Sequence, residues 1–179
     1  MIEAQSAFRR AGRWLLSMAA AVVAFGAVTV VQAGPLQEYR NEKHGFSLQV
    51  PADVFVEGVS RNPDAGNVWI SRDRQARLSA VAGSNETGET LDSYRRFVME
   101  QTYAGARFDY TPVRENWFVL SGIKGDQVFY ERITFVCDGR YIYGWQMFYP
   151  VAKKRFYDRV VEDIHRNYRI GRRQSGRCD

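Results

Sequence analysis

The residues of this 179-residue sequence that are best suited to chemistry are two histidines and two cysteines. His44 and His165 lie roughly 120 residues apart, and no further metal ligands cluster near either one, so no zinc site is predicted. His165 stands beside Ile164 and one turn after Val161. This position favours the rim of a buried helix face over a role as ligand or base, because histidines in those roles need oriented partners. His44 precedes Gly45 and is expected to lie in a solvated turn.

Sequence motifs typical of enzymes are also missing. The sequence has no Gly-x-Ser-x-Gly elbow and no phosphate-binding loop. Asp, Glu and Ser residues are numerous enough to build a site, but their spacing does not point to one. The sequence therefore predicts no catalytic residue, no metal and no cofactor. The alternative is a hydrolase-like enzyme of the cell envelope whose active site is too dispersed to be read from spacing.

The pair Asp138-Gly139 separates two alternating runs and is a strong β-hairpin signal, because a type I′ turn needs positive φ at both central residues. A two-residue turn fixes the register of both strands outward from it. One face of the hairpin is then apolar except for the pair of Glu131 and Gln146, and it is predicted to face the core. Its apolar pairs are Phe135 with Ile142, Ile133 with Gly144, and Phe129 with Phe148.

The opposite face of the same hairpin is aromatic and amphipathic. Arg132 is expected to lie over the ring of Trp145, its cross-strand neighbour. Tyr, Trp, Arg and Met are enriched where proteins bind partners, so this face is a candidate binding surface. The alternative is a covering helix, under which buried Tyr and Trp find internal hydrogen bonds. The candidate binding residues are Tyr130, Arg132, Tyr141, Tyr143 and Trp145.

Cys137 and Cys178 are predicted to form a disulfide. A closing helix over residues 152–168 would span about 25 Å and must fold back along a strand of about 33 Å. The helix then ends near the hairpin turn, beside Cys137, and the ten residues that follow bring Cys178 within reach. Closing this loop of roughly 40 residues would stabilise the fold by about 4 kcal/mol on the chain-entropy model. The alternative is two separate free thiols.

Short elements position these residues. Phe46, Leu48 and Val50 alternate with polar residues and predict a strand that Pro51 closes. Two further runs, 67–71 and 76–82, flank a polar tetrapeptide and predict another hairpin. The stretch from residue 108 to residue 149 has strand composition, with turn signals at 122–126 and at Asp138-Gly139.

Two helices are predicted. The first begins after Thr90, a suitable N-cap, and ends near Gly105. The second is the closing helix, in which Phe156, Val160 and Ile164 recur every four residues. Because short turns rather than crossover helices join the strands, the predicted class is α+β with a mainly antiparallel sheet flanked by helices.

The start of the folded part resembles the PsbP-like fold. The resemblance rests on a Tyr-x-Asn start, Gly-Phe-Ser-Leu-x-Val-Pro and a final Asp-x-Phe, and it covers most of residues 38–170. It implies a binding or assembly module rather than an enzyme, although fold alone does not assign a function. The chain also resembles a group of alphaproteobacterial exported proteins through the segments 100–105 and 117–122. The residues that carry the PsbP-like resemblance are Tyr39, Asn41, Gly45, Phe46, Pro51 and Phe55.

Residues 1–33 are predicted to be an export signal. An arginine-bearing start precedes an uncharged apolar run, residues 14–31, and Val31-Gln32-Ala33 is a small-x-small pattern with cleavage after Ala33. The alternative is an uncleaved helix that anchors the protein in the inner membrane. Cleavage would leave a single PsbP-like domain at residues 34–170, followed by a polar tail at 171–179.

Charge and compartment limit the classes of partner. Removing residues 1–33 takes away three arginines and one glutamate, which leaves a net charge of +3 from the original +5. This charge is scattered, so no nucleic-acid binding is predicted. The predicted location is the periplasm, where a disulfide can persist, and membrane contact is expected only through the signal segment before cleavage. The predicted partner is another envelope protein, or else a glycan or lipid.

Overall fold

A computed structural model describes residues 34–58, 60 and 62–170. The export signal and the polar tail predicted from the sequence lie outside these residues. Within them no helix is long and apolar enough to cross a membrane. The strands are β1 (Leu36–Asn41), β2 (Phe46–Pro51), β3 (Phe55–Glu57), β4 (Gly66–Ser71), β5 (Arg77–Ser84), β6 (Arg107–Tyr110), β7 (Trp117–Lys124), β8 (Gln127–Val136), β9 (Tyr141–Pro150) and β10 (Arg169–Ile170), and the helices are α1 (Leu91–Phe97) and α2 (Lys154–Asn167).

The described strands form two antiparallel sheets, and the predicted α+β class is confirmed. The larger sheet has seven strands in the order β3-β4-β5-β9-β8-β7-β6, and the smaller has three in the order β1-β2-β10. Helix α1 packs against β7, whereas α2 packs against β2 and β9. The two faces of the large sheet therefore border two hydrophobic cores, one under α1 and one under α2 with the small sheet.

Helix α1 begins where the sequence predicts and changes its winding before it ends. The Thr90 hydroxyl accepts a hydrogen bond from the Ser93 backbone N–H at 3.1 Å, and the Thr90 N–H donates to the Ser93 hydroxyl at 2.9 Å. This reciprocal cap satisfies two backbone donors. From Val98 to Thr102 the chain continues as a π-helical turn, closed by the Tyr103 N–H on the Val98 carbonyl. The extra residue in this turn was not predicted, and it places Tyr103 in the core, 1% exposed.

The β8–β9 hairpin has the register that the Asp-Gly turn predicts. Asp138 and Gly139 have φ of 54° and 84°, and the Arg140 N–H donates to the Cys137 carbonyl at 3.1 Å. All the predicted pairs on the apolar face are found, including Glu131 with Gln146, and Arg132 pairs with Trp145 on the other.

Contacts at its N-terminal end anchor α2 to the β4–β5 turn. The Asp73 carboxylate accepts hydrogen bonds from the Ser71 hydroxyl at 2.5 Å, the Lys153 ammonium at 2.7 Å and the Tyr157 hydroxyl at 3.1 Å. These donors, the Lys153 ammonium first, lower the pKa of the Asp73 carboxyl well below its ordinary value. Tyr157 is 1% exposed, so the polar anchor borders the core beneath α2.

Three local features differ from the sequence-based prediction. The segment before Phe46 forms strand β1, although only Asn41 of its six residues is buried. Residues Arg169 and Ile170 add the short strand β10 to β2. The turn between β7 and β8 is confined to Gly125 and Asp126, whereas the predicted turn signal began at Gly122. Gly122 lies inside β7, where a Cβ would stand 2.0 Å from the Arg107 carbonyl oxygen.

Candidate functional site

The aromatic face of the β8–β9 hairpin is covered by α2 and the small sheet. Trp145 is 0% exposed, Tyr143 is 3% and Tyr130 is 8%. The exposure that the sequence-based binding hypothesis required is therefore absent for these three residues, and the covering helix of the alternative is present. The physical reason is the apolar stripe of α2, which must bury itself against a sheet and does so here. Tyr141 and Arg132 remain half-buried.

The sequence predicted that Arg132 lies over the ring of Trp145, but in the structure it lies elsewhere. Its guanidinium carbon stands 4.3 Å from the centre of the Trp117 ring and 5.5 Å from that of Tyr168. Trp145 stacks instead on Tyr130, with ring centres 4.8 Å apart. Arg132 is thus held between two aromatic faces at the edge of α2, where a cation–π contact gains from partial desolvation.

His165 joins this arrangement from α2. Its Nδ1 lies 2.7 Å from the Tyr130 hydroxyl, and its Nε2 lies 3.4 Å from Nη1 of Arg132. A proton on Nδ1 satisfies both contacts, because Nδ1 then donates to the Tyr130 oxygen while Nε2 accepts from the guanidinium. Burial, and then the Arg132 charge, lower the pKa of His165, which keeps the imidazole neutral at neutral pH. The rim position predicted for His165 corresponds to this half-buried placement.

A partly exposed surface extends from this point toward the sheet edge. Tyr110, 57% exposed, pairs with Ser121 and so shares a face with Tyr130 two strands away. The Arg114 guanidinium carbon stands 5.9 Å from the Trp117 ring centre. We call this area the rim surface, and it consists of Tyr110, Arg114, Trp117, Arg132 and His165.

Beneath the rim surface, four buried polar atoms have no hydrogen-bond partner among the described residues. Thr134 and Tyr168 are 2% and 7% exposed. We call this group the donor cluster, and it consists of Arg132 Nε, Thr134 Oγ1, Trp145 Nε1 and the Tyr168 hydroxyl. Sequence reasoning identified Arg132 and Trp145 but not Thr134 or Tyr168. Thr134 is the cross-strand neighbour of Tyr143 and so was on the predicted aromatic face. Nothing in the sequence places Tyr168 above that face.

Glu131 lies on the opposite face of β8, under α1. It is 9% exposed, and burial raises the pKa of its carboxyl to about 7, against the opposing effect of Tyr103. Its Oε2 and the Tyr103 hydroxyl are both buried without a hydrogen bond of acceptable geometry. The sequence predicted that Glu131 and Gln146 form the one polar pair on an apolar sheet face, and the structure has this pair on that face.

The other residues singled out in the sequence lie elsewhere. The His44 ring stands 5.6 Å from the Tyr143 ring centre, in the β1–β2 turn, and burial lowers its pKa. Cys137 is half-buried at the end of β8, and Cys178 lies outside the described residues. Within the described part of the chain, no three His, Cys, Asp or Glu side chains are placed to hold a metal.

Two antiparallel sheets flanked by two helices in this order constitute the PsbP-like fold. The chain is similar in structure to cyanobacterial PsbP (CyanoP) from Synechocystis sp. PCC 6803, with 14% identity and a TM-score of 0.56 over 82% of this chain and 99% of that one. It is also similar to the Ran-binding protein Mog1p of Saccharomyces cerevisiae, with 10% identity and a TM-score of 0.51 over 76% and 96% of the two chains. No protein-family model and no curated protein sequence matches the chain.

Proposed function

We propose that the protein is an exported, non-catalytic binding or assembly module of the bacterial envelope that contacts another envelope protein through the rim surface. The observation that carries this proposal is the placement of Arg132 and Trp117. Both side chains are half-buried, and the Arg132 guanidinium carbon stands 4.3 Å from the centre of the Trp117 ring. An envelope glycan or lipid is the second class of ligand that such a surface would fit.

The composition of the rim surface supports a protein partner. Its residue types, Tyr, Trp, Arg and His, combine large apolar area with polar groups, and the first three dominate the binding energy of protein interfaces. Stacking on Trp117 holds the Arg132 guanidinium in place before a partner arrives, which lowers the entropy cost of ordering it. The similarity to a Ran-binding protein extends to the fold and supports a binding role by analogy only.

The surroundings of His165 support binding rather than catalysis. Its polar neighbours within the described residues are Tyr130 and Arg132. Neither supplies the carboxylate that orients a general base, and the guanidinium opposes protonation of the ring. A hydrolase-like role would need acidic groups to converge on His165.

Affinity capture from envelope extracts tests the proposal. The full-length protein, expressed in an exporting bacterium and purified by a tag, is compared with Trp117→Ala and Arg114→Gln by mass spectrometry of co-purified proteins. We expect both variants to lose the same partner, with little change in stability for Arg114→Gln, whose side chain is exposed, and a larger loss for Trp117→Ala, because Trp117 packs against the core under α2.

Matched controls remove similar chemistry from the N-terminal part of α2. Phe156→Ala and Arg155→Gln each delete an exposed side chain more than two turns before His165. We expect both to retain the partner. Identical capture by the rim and control variants would overturn the proposal. The mass of the exported protein tests the export step, for which we expect a chain that begins at Gly34.

A further inference from the structure

We propose that the donor cluster is a binding site for an oxyanion, namely a carboxylate or phosphate group. The site lies inside the fold, between the β8–β9 sheet face and the C-terminal end of α2. It goes beyond the function proposed above, because it concerns a buried site that would be present whether or not the rim surface binds a protein. Arg132 is the residue that the two sites share.

The first argument is the kind of polar atom that the cluster contains. The Nε–H of Arg132 and the Nε1–H of Trp145 can donate but cannot accept, and the hydroxyls of Thr134 and Tyr168 can do either. All four atoms are buried and lack a partner among the described residues. Buried polar groups in folded proteins are almost always paired, so this group needs an acceptor.

The second argument is that the four atoms belong to one neighbourhood. Arg132 and Trp145 are cross-strand neighbours, and Thr134 lies two residues further along β8 on the same face. Tyr168, the residue that directly follows α2, lies over Arg132, with its ring centre 5.5 Å from the Arg132 guanidinium carbon. Burial raises the pKa of Tyr168 and the Thr134 hydroxyl lowers it, so the two hydroxyls are close, although neither forms a hydrogen bond of acceptable geometry. The four side chains therefore belong to one part of the β8–β9 face.

The third argument is charge. Arg132 is always protonated, and its described contacts are the His165 ring nitrogens and the two aromatic faces. None of these carries a negative charge, and a half-buried cation is stabilised by one. A single water molecule accepts at most two hydrogen bonds and supplies no charge. An oxyanion supplies both the negative charge and more than two acceptor lone pairs, and its geometry matches the planar donor group of Arg132.

Hydrogen-bond donors at the site make binding observable by NMR. The full-length protein is titrated with sodium acetate, inorganic phosphate or an acetylated aspartyl peptide, at constant ionic strength set with chloride. We expect the Trp145 indole N–H signal to move downfield and saturate, and the apparent pKa of His165 to rise while that of His44 stays unchanged. Saturation with free acetate or phosphate assigns a free ion, and saturation with the peptide alone assigns an acidic group on a larger ligand.

Variants locate the site. Thr134→Val and Tyr168→Phe remove hydroxyls and keep the shape, and each should weaken the titrated anion severalfold, whereas Arg132→Gln should weaken it about tenfold or more. Ser79→Ala is the matched control, because Ser79 Oγ is also buried without a partner but lies on the opposite face of the sheet. We expect this variant to bind as wild type does.

The outcomes separate the two proposals. No saturable shift with any probe, or equal shifts produced by chloride, would overturn the oxyanion site. The oxyanion site would also be overturned if Thr134→Val and Tyr168→Phe bound the anion as tightly as Ser79→Ala does. Because Arg114→Gln keeps both Arg132 and its stacking partner Trp117, loss of partner capture by this variant with intact anion binding would leave both proposals standing. Intact capture by Trp117→Ala and Arg114→Gln would remove the protein-binding proposal alone.

Discussion

The guanidinium of Arg132 stacks on Trp117, its diagonal neighbour on β7, at 4.3 Å, although its direct cross-strand partner on β9 is Trp145. Trp145 is thereby left to stack on Tyr130 deep under α2. The two tryptophans therefore differ in kind. Trp117 contributes to a surface, and Trp145 fills the core.

Replacing Trp145 by Ala should destabilise the protein strongly. Truncation of a fully buried aromatic side chain leaves a cavity, and the expected loss is about 3–5 kcal/mol of unfolding free energy. Guanidinium melts that follow tryptophan fluorescence and circular dichroism should show a lower midpoint with an unchanged slope. The control is Phe156→Ala, at a 45% exposed position, which we expect to shift the midpoint little. A Trp145→Ala midpoint close to that of Phe156→Ala would contradict the burial described above.

Replacing Glu131 by Gln should change how stability depends on pH. The folded carboxyl has a pKa of about 7, raised by burial from 4.5, so the folded state holds a proton that the unfolded chain releases at lower pH. The free energy of unfolding of the wild type should therefore fall as pH rises from about 4.5 to about 7, by roughly 3 kcal/mol. The Gln variant lacks this titration, so its advantage over wild type should grow across that window. Urea melts at half-unit pH steps measure both curves.

Glu162→Gln, at an exposed position on α2, is the matched control for Glu131→Gln. Its stability curve should run parallel to that of the wild type across the same window. Parallel curves for Glu131→Gln as well would show that the buried carboxyl titrates at its ordinary value, and the prediction would fail.

Replacing Asp73 by Asn should loosen the start of α2. The carboxylate accepts from Lys153, Ser71 and Tyr157, and the Lys153–Asp73 pair is partly exposed, so we expect a loss of about 1 kcal/mol at neutral pH. Because the folded pKa of Asp73 is lowered, its contribution is complete above the ordinary value of 3.8 and disappears as pH falls through the folded value. The gap between wild type and Asn variant in urea melts should therefore narrow below about pH 4. Asp92→Asn, which removes an exposed carboxylate of α1, should show a smaller effect.

The predicted Cys137–Cys178 disulfide is tested by counting thiols in the denatured, unreduced protein. Ile170 of β10 pairs with Phe46 of β2. In the adjoining β1–β2 turn, the centre of the His44 ring lies 6.3 Å from that of Tyr141, at the start of β9. Ile170 therefore lies near the β8–β9 turn. We expect no free thiols, and a loss of about 2–4 kcal/mol on reduction or in the Cys178→Ser variant. Two thiols per chain in the absence of reductant would refute the bond.

The sequence predicted the elements whose signal is local. The Asp138-Gly139 turn determines the whole β8–β9 register because each step outward repeats the same two-residue alternation. Thr90 has the side chain that an N-cap needs, and its contact with Ser93 lies within one turn. By contrast, the π-helical turn depends on how Tyr103 fits against Phe129, with ring centres 4.0 Å apart, and no spacing in the sequence encodes that contact.

The candidate site was predicted only in part, for a related reason. Arg132 and Trp145 followed from the hairpin register, but the stacking partner Trp117 depends on how β7 pairs with β8. That pairing was ambiguous, because the glycine-containing segment 122–126 admits more than one turn. The covering of Tyr143 and Trp145 depends on where α2 lies across the sheet, which its own amphipathic stripe does not specify.

The β8–β9 hairpin separates the two cores and supplies side chains to both. Phe129 and Ile133 of β8 belong to the core under α1, while Tyr130 of the same strand and Trp145 of β9 belong to the core under α2. If either core lost its structure while the hairpin stayed folded, one face of the hairpin would be exposed to water. Backbone amides of β8 and β9 should therefore exchange with solvent only through global unfolding, and the two cores should lose their structure in one cooperative transition.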